Sequence, residues 1–509
     1  MPPKPPSTPT TVAQNNRLPP EMLAAIFFHL SKRKIPLTGR ISSHLIRDLV
    51  SVTHVCRFWR QAAINAPEVW TDIPINSAEV ARVFLERSGE LPLNVYLRLY
   101  FKHAGKTNHD IIDAVNPRTH RLQQLSVHVQ WGLDSETSIP FTKPAPLLER
   151  LVIFHLLGDG EILLFDDKAP RLRELVMVSK GLWLQNQLGN LTSLHLTLSR
   201  CERIHLGFLP FFDMLHRCPV LEEMFLLWGD WDAQLIPPQT PNVPLHRLRK
   251  LLLCSFHPNT LRYFLHSFDL KSDGIAIHLN RVVTPEEDDS ISGIQAIFPK
   301  DRSDRPSFVS STKLELIFNS RPRVITTIHA VGPGFSIRMD LCLSDPLLDR
   351  PVKCVFRDGF PLVGELWVRG ASLYTKLDGI KHFTALEKLV LIGRGSKMAQ
   401  KFRQALSPSP SGVLPCPLLS TIDFHGDSPE MPEIFLLVRN RSSAGRRLEK
   451  LRVPTSFIPL PAHIASCVRD VGSFDIPSRM LDKYAMELPE FCFVNGKHGW
   501  WHHWGSKVN

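Results

Sequence analysis

The sequence lacks the patterns that mark disulfide-rich, metal-binding and membrane-spanning chains. Its nine cysteines are dispersed and contain no C-x-x-C pair, which favours reduced side chains over a disulfide framework or a zinc site. Apolar runs, such as residues 151–157 with His155 inside, are far shorter than the ~20 residues that a membrane helix needs. The first residues, M-P-P-K-P-P, form no apolar signal segment. We therefore expect an intracellular protein of the cytoplasm, the nucleus or both, with no membrane partner.

Signatures of common catalytic sites are also missing. The chain has no nucleophile elbow, P-loop, Rossmann glycine motif or H-E-x-x-H helix, and its 27 glycines form no phosphate-cradling cluster. His498, His502 and His503 lie among tryptophans without carboxylate or cysteine support, which favours an aromatic cap over a metal site. We expect no metal, no cofactor and no catalysis. An enzyme would need a catalytic constellation from residues 270–350.

Composition is that of a globular protein with a surplus of positive charge. Hydrophobic residues make up 43% and charged residues 21% of the 509 residues, and the formal net charge is +11. The basic residues are spread along the chain, and their runs, such as residues 32–34, are short. This distribution favours a solvated basic surface over a nucleic-acid interface.

Helical spacing begins abruptly after a leader, residues 1–16, that is rich in Pro, Ser, Thr and Asn and is expected to be disordered. Pro19 and Pro20 suit a helix start, and apolar residues then follow with a period of 3.6. A second helical pattern runs from Leu49 to Ala63 with Cys56 in the middle of its apolar face. Asn76 and Glu79 have the spacing of a capping box, which predicts a further helix ending at Gly89. A helical unit this small rarely stabilises itself, so part of its surface should pack against another protein or against the rest of the chain.

The residues of this unit resemble the F-box. The motifs that carry the resemblance, in order, are L-P-P-E-M-L-x-x-I-F-x-x-L (18–30), L-x-x-V-x-x-V-C-R-x-W (49–59) and P-x-x-W (67–70). The connection between Leu30 and Leu49 is longer than is usual for the family, which a surface loop tolerates because closure entropy grows slowly with length.

The resemblance implies that residues 17–75 bind a Skp-family adaptor, which in turn joins a cullin ligase scaffold. The predicted adaptor-binding residues are Leu18, Pro19, Met22, Leu23, Ile26, Phe27, Leu30, Leu49, Val52, Cys56 and Trp70. Leu18, Pro19, Ile26 and Leu49 are the stronger contact candidates. Val55 and Trp59 complete the motif and are expected inside the box.

Ten units of the form Leu-x-x-Leu-x-Leu follow, with substitutions by other apolar residues. They begin at Leu122, Leu148, Leu172, Leu191, Leu221, Leu248, Val363, Leu386, Leu419 and Leu448. Within each set the starts are 19–33 residues apart, which is in or near the leucine-rich-repeat range. The pattern predicts an irregular leucine-rich-repeat solenoid over residues 76–480, with short parallel strands on the inner face and helices, such as 209–217 and 260–268, on the outer face.

The fold class predicted overall is α/β, a small helical F-box followed by the solenoid and a C-terminal cap or tail at 481–509. Residues 270–350 contain no clear unit and are predicted to be an irregular insertion, although 275–277, 314–316 and 337–343 have strand-like sequences. The acidic stretch 284–290 is expected to be a solvated loop.

Apolar residues also occupy strand positions that should point away from the solenoid core. The predicted target-binding residues are Val152, Phe154, Val176, Val178, Phe225, Leu227 and Leu252, and Val390 and Ile392 follow the same pattern. Such a surface is either a docking site for a partner or a face covered by the insertion or the C-terminal segment. Both alternatives remain open at this point.

An F-box followed by leucine-rich repeats resembles a substrate-recognition subunit of an SCF-type ubiquitin ligase, with an unknown protein target and no chemistry of its own. The stretch F-L-E-R-S-G-E-L-P-L (84–93) resembles F-box families of mushroom-forming fungi. The alternative is a non-ligase repeat scaffold whose F-box-like helices dock internally as a cap.

Overall fold

The computed structural model describes residues 18–31, 44–75, 77–100, 105–130, 141–156, 160–179, 182–198, 209–228, 241–256, 258–270, 274–283, 310–318, 325–342, 361–370, 378–393, 397–408, 412–426, 428–474 and 486–492. These residues belong to two compact units, Met1–Leu206 and Gly207–Asn509. The predicted leader, the acidic loop and the His/Trp cluster at 498–504 lie outside the described residues. No helix within these ranges is long and apolar enough to cross a bilayer.

The first unit begins with short helices. They are α1 (Pro20–Ser31), α2 (His44–Thr53), α3 (Arg57–Ile64), a 3₁₀ turn (Pro67–Trp70), α4 (Ala78–Arg87), α5 (Gly105–Val115) and a 3₁₀ helix (Asn116–Arg121). Helices α1, α2 and α3 pack against one another, and the ring of Phe27 lies 5.4 Å from that of Trp59. The spacing of apolar residues therefore builds a small helical core.

Two helix starts differ from their predictions. The pattern from Leu49 to Ala63 is divided between α2 and α3, and Cys56 is the N-cap of α3 instead of a mid-helix residue. Helix α4 is capped by Ser77, whose hydroxyl accepts a hydrogen bond from the Val80 amide at 3.3 Å, so the cap lies one residue after Asn76. The helix ends as predicted, with Gly89 at φ +57° just beyond it.

The sheet of the first unit consists of parallel strands that pair in chain order. Its strands are β1 (Asp72–Ile75), β2 (Leu93–Tyr100), β3 (Leu122–Gln130), β4 (Arg150–Leu156), β6 (Glu174–Ser179) and β8 (Ser193–Leu198). Two short strands, β5 (Gly160–Ile162) and β7 (Leu182–Leu184), pair separately.

The second unit contains a longer sheet with helices between strands. Its helices are α6 (Leu209–His216), α7 (Pro258–Ser267), α8 (Met398–Leu406), α9 (Met431–Ser443) and α10 (Ala462–Ala465). Its main strands are β9 (Glu223–Trp228), β11 (Lys250–Cys254), β13 (Ile275–Val283), β14 (Lys313–Phe318), β15 (Ile325–Gly332), β16 (Phe335–Cys342), β17 (Glu365–Gly370), β18 (Lys388–Ile392), β19 (Thr421–His425), β20 (Leu448–Pro454) and β21 (Val468–Phe474). The short strands β10 (Val243–Pro244) and β12 (Phe268–Asp269) pair with each other.

Neighbouring strands of this sheet run in the order β9-β11-β13-β16-β15-β14-β17-β18-β19-β20-β21. All of these pairs are parallel except the two that involve β15, which is antiparallel to both neighbours. The stretches 275–277 and 314–316 lie in β13 and β14, and 337–342 lies in β16. A hairpin is thus inserted where the repeat pattern lapses.

The repeated leucines form ladders across the strands. In the first unit Leu125, Leu151, Leu175 and Leu194 are register partners, and all four are buried. The second unit has a matching ladder of Leu366, Leu389, Ile422 and Leu451. The first residue of each of the ten units is also buried, at or just before its strand. A side-chain period of two along each strand places the last two apolar residues of a unit, such as Leu151 and Ile153, on one face, so the sequence pattern locates the core.

Candidate functional site

Helix α1 divides its side chains among three faces. Leu23 and Phe27 are completely buried against α2 and α3. Leu18, which lies two residues ahead of α1, is followed at intervals of four residues by Met22 and Ile26, which share a different face of the helix. They are 38%, 53% and 42% exposed. We call these three residues the α1 stripe.

The third face of α1 borders an open groove against α3. The groove has a volume of about 690 Å³. It is lined by Pro20, Glu21, Ala24, Ala25, Phe28, His29, Phe58, Gln61, Ala62, Asn65, Ala66 and Glu68. Small alanines on both helices leave the space, and Phe28 and Phe58 supply apolar walls. The sequence analysis did not predict this surface. A signal was present, because the spacing of Ala24, Ala25 and Phe28 places them together on one face of a helix.

Trp70 ties these helices to α4. Its indole N–H donates to the Ala63 carbonyl at 2.7 Å, and its ring meets Phe84 edge-on at 5.1 Å. The guanidinium of Arg87 lies 4.4 Å from the centre of the same ring. The three helices are therefore anchored at one end, while the α1 stripe faces solvent.

An F-box-like family model matches residues 15–75. The matched region contains α1, α2, α3, the Trp70 turn and β1. We call it the F-box-like domain. No curated protein matches the chain.

Burial sorts the predicted adaptor-binding residues of the F-box-like domain into three groups. Leu18, Pro19, Met22 and Ile26 are exposed, Leu30 and Cys56 are half-buried, and Leu23, Phe27, Leu49, Val52 and Trp70 are buried. Leu49 is only 4% exposed, so it packs inside the domain and cannot be a leading contact residue. Val55, expected inside, is instead 57% exposed because it lies in the turn between α2 and α3. The structure adds exposed Val50, which the motif did not single out.

The sheet residues predicted to bind a target are not open to solvent. Val152, Val176, Phe225 and Leu252 are buried, and Phe154, Val178 and Leu227 are half-buried. In the first unit, Phe154 stacks on His128 with ring centres 4.2 Å apart. The surface is therefore not a bare apolar face.

In the second unit, residues 486–492 cover part of this face. We call them the C-terminal segment. Cys492 joins a buried cluster of Phe225, Leu252, Cys254 and Ala276, against which Leu227, Leu488 and Phe491 also pack. Met486 joins a second cluster of Val331, Trp367, Val390 and Ile392, which Leu488 also contacts. Of the two alternatives left open by the sequence, coverage by the C-terminal segment is what the structure has here.

Polar side chains are buried on strands β13 to β16 of the same sheet. His278 Nε2 donates to Asp340 Oδ2 at 2.7 Å, and the Thr327 hydroxyl donates to Asp340 Oδ1 at 2.7 Å. Burial alone would raise the pKa of Asp340, but the His278 hydrogen bond and the charge of Arg338 lower it overall. Burial, with Arg338 and His278 nearby, lowers the pKa of His329 to about 3, so this imidazole is neutral.

Ser336, His329 and Glu315 lie in a row within this group. Ser336 Oγ is 3.1 Å from His329 Nε2, and Glu315 Oε2 is 3.9 Å from His329 Nδ1. All three side chains are buried, and burial raises the pKa of Glu315 against the opposing effect of Arg369. The contact between Ser336 and His329 gives each of these buried side chains a hydrogen-bond partner. Among the described residues, no cluster of three or more His, Cys, Asp or Glu side chains could hold a metal ion.

Proposed function

We propose that this protein is a substrate-recognition subunit of an SCF-type ubiquitin ligase. The F-box-like domain binds a Skp-family adaptor, which links the protein to a cullin scaffold. The observation that carries the proposal is the α1 stripe, three large apolar side chains left exposed within a domain whose family typically binds such adaptors.

The energetics favour a partner for the α1 stripe. Burying one side chain of this size contributes roughly 1.5–3 kcal/mol relative to leaving it in water. Met22 and Ile26 share one face of α1 and Leu18 lies just ahead of that helix, so we expect a single partner surface to cover all three. The α1–α3 groove offers a further concave surface beside it.

The sheets supply the second half of the proposal. Parallel strands paired in chain order, with leucine ladders on the buried face, support an irregular leucine-rich-repeat solenoid of the kind that holds protein targets. The protein then performs no bond chemistry. It raises the effective concentration of the target at the ubiquitin-charged enzyme.

The decisive experiment measures adaptor affinity for a variant of the exposed residues. Leu18→Ala combined with Pro19→Ala should weaken binding of a purified Skp-family adaptor by on the order of tenfold to a thousandfold in calorimetry. The matched control is Leu362→Ala, which removes a side chain that is 53% exposed in the second unit. Equal affinity of the double variant and the wild type would refute the assignment.

A second candidate, favoured by the contacts of Trp70 with Ala63, Phe84 and Arg87, is an internal cap without a ligase role. In that case the F-box-like domain covers the first repeat and shields its apolar core from solvent. The full-length protein would then elute as a monomer after mixing with adaptors, and the α1 stripe variants would be silent.

A further inference from the structure

The C-terminal segment packs on the sheet of the second unit in the manner of a bound peptide. Its residues alternate in burial: Met486 and Cys492 are buried, Leu488 and Phe491 are half-buried, and Glu487 and Glu490 are exposed. Apart from one 3₁₀ turn at Glu490–Cys492 it has no regular structure, and it pairs with no strand among the described residues. It is held by side chains and not by a ladder of backbone hydrogen bonds.

Two polar contacts fix the register of the C-terminal segment. The backbone N–H of Met486 donates to the Glu315 carboxylate, and the Ser336 hydroxyl and the Cys492 thiol form a hydrogen bond. Between them, the Phe491 ring lies over Gly274, where an added Cβ would be 3.6 Å from the ring. The sheet therefore carries apolar pockets at two places with a polar anchor near each, which are the elements of a peptide-binding groove.

We propose that this face is the target-binding groove of the protein and that the C-terminal segment occupies it in cis until a target peptide displaces it. The target presents an extended segment with the same chemistry: apolar side chains at the positions of Met486, Leu488 and Phe491, acidic or polar residues between them, and no helix. This inference rests on the proposed function, whose target class it names.

The seated segment is itself the argument for this occupant. Phe225, Leu252, Val390 and Ile392 are buried together with side chains of an unpaired stretch that is remote from them in sequence. Pro489 in the middle of the C-terminal segment has no amide hydrogen, so it disfavours a helical occupant and suits an extended one. A cis occupant competes with any incoming peptide. The apparent affinity for a target is therefore the intrinsic affinity multiplied by the fraction of molecules in which the groove is free.

The first test uses full-length protein and a fluorescent peptide spanning residues 484–494 with Cys492→Ser. In the protein variant Leu488→Asp with Phe491→Asp the C-terminal segment no longer seats, so the peptide should bind at least tenfold more tightly than to wild type in fluorescence polarisation. Glu487→Gln with Glu490→Gln is the matched control, since these side chains are exposed, and should behave as wild type. A folded double variant that binds the peptide no better than wild type, or an unfolded one, would overturn the proposal.

The second test needs no variant and follows the thiol of Cys492. Burial raises the pKa of this thiol to about 11, so it should react slowly with iodoacetamide in the free protein. Saturating peptide should increase its alkylation at least fivefold in mass spectrometry, while half-buried Cys56 and Cys467 provide internal references. If Cys492 stays protected at saturating peptide, the groove is not exchangeable and the inference is wrong.

These outcomes are separable from those of the proposed function. Peptide exchange is measured without adaptor, and adaptor binding is measured without peptide. Loss of adaptor binding with intact peptide exchange would leave the groove in place and remove the ligase role. The converse result would keep the ligase role and remove this groove as its target site.

Discussion

Cys56 illustrates how a single residue can satisfy a helical pattern and still lie outside a helix. Its backbone is extended, with φ −159° and ψ 171°, and its sulfur accepts a hydrogen bond from the Trp59 amide at 3.5 Å. The first amides of a helix have no partner within the helix, so a side-chain acceptor at this position stabilises the start of α3.

Replacing Cys56 by serine and replacing it by alanine should therefore have different effects on the stability of the protein. Cys56→Ser supplies a stronger acceptor at the cap and should preserve or raise the denaturation midpoint. Cys56→Ala removes the acceptor and should cost about 0.5–1 kcal/mol. Urea denaturation followed by circular dichroism compares the two, and equal midpoints would show that the sulfur does not cap α3.

His329 makes stability depend on pH in a defined direction. Its folded-state pKa is about 3, whereas an unfolded histidine has a pKa near 6.5. At pH 5 the unfolded chain therefore binds about one more proton at this residue than the folded chain does. Stability from this group is complete above pH 6.5 and is lost as the pH falls from 6.5 toward 3.

The variant His329→Gln should lose this part of the pH dependence. We expect the wild-type free energy of unfolding to fall more steeply between pH 7 and pH 5 than that of the variant, with a difference in linkage slope that grows to about one proton at pH 5. Other groups, including His425 with a pKa of about 4, contribute equally to both proteins. Parallel slopes in denaturant titrations at several pH values would contradict the assignment.

Helix α9 depends on a buried arginine for its attachment to the chain before β19. The guanidinium of Arg441, which is completely buried, donates to the carbonyls of Pro415, Cys416 and Leu419 at 2.9–3.4 Å. The five donors of an arginine in a fixed plane make such a multiple contact possible.

Replacing Arg441 should consequently be costly. Arg441→Met leaves these carbonyls without their donor and should lower the free energy of unfolding by about 3 kcal/mol. The control is Arg439→Met on the same helix, since Arg439 is exposed and should change stability by less than about 0.5 kcal/mol. Thermal melts that place both variants at the same temperature would rule out the role given to Arg441.

The hairpin of β15 and β16 is the element that the repeat pattern did not predict. Its turn contains Pro333 and Gly334, and Gly334 has φ +71°, a conformation that glycine adopts without strain. The sequence V-G-P-G-F (331–335) is a local turn signal between two strand-like stretches, so the hairpin was predictable from turn chemistry. The pairing of β16 with β13 was not, because partners such as Ile275 and Phe335 are far apart in the chain.

In the molecule as a whole, the two proposed binding surfaces belong to different compact units. The α1 stripe lies in the first unit and the C-terminal segment in the second. Substitutions without shared partners usually have additive effects. We therefore expect Leu18→Ala with Pro19→Ala to reduce adaptor affinity by the same factor whether or not Leu488→Asp and Phe491→Asp are present.

A double-mutant cycle on adaptor affinity measures this independence. The coupling free energy should be below about 0.5 kcal/mol. A larger value would mean that adaptor binding and release of the C-terminal segment are linked, which would be a form of allosteric control.

Much of the fold follows from local patterns. The last two apolar residues of each Leu-x-x-Leu-x-Leu unit are two residues apart, which places them on one face of a strand, and the structure buries them there. The period of 3.6 in α1 likewise predicts a helix, and Leu23 and Phe27 turn inward. Such patterns are readable because the side chains that share a face are only two to four residues apart in the chain.

Which apolar residues stay exposed was settled by contacts between distant parts of the chain. The F-box motif made Leu18, Ile26 and Leu49 equivalent, yet packing against α1 buries Leu49 and leaves the other two open. The strand pattern likewise did not show what would bury Phe225 and Leu252. In the structure Cys492, more than two hundred residues later in the chain, packs on them. No local period encodes such pairs, because the free energy of burial depends on what the folded chain brings alongside.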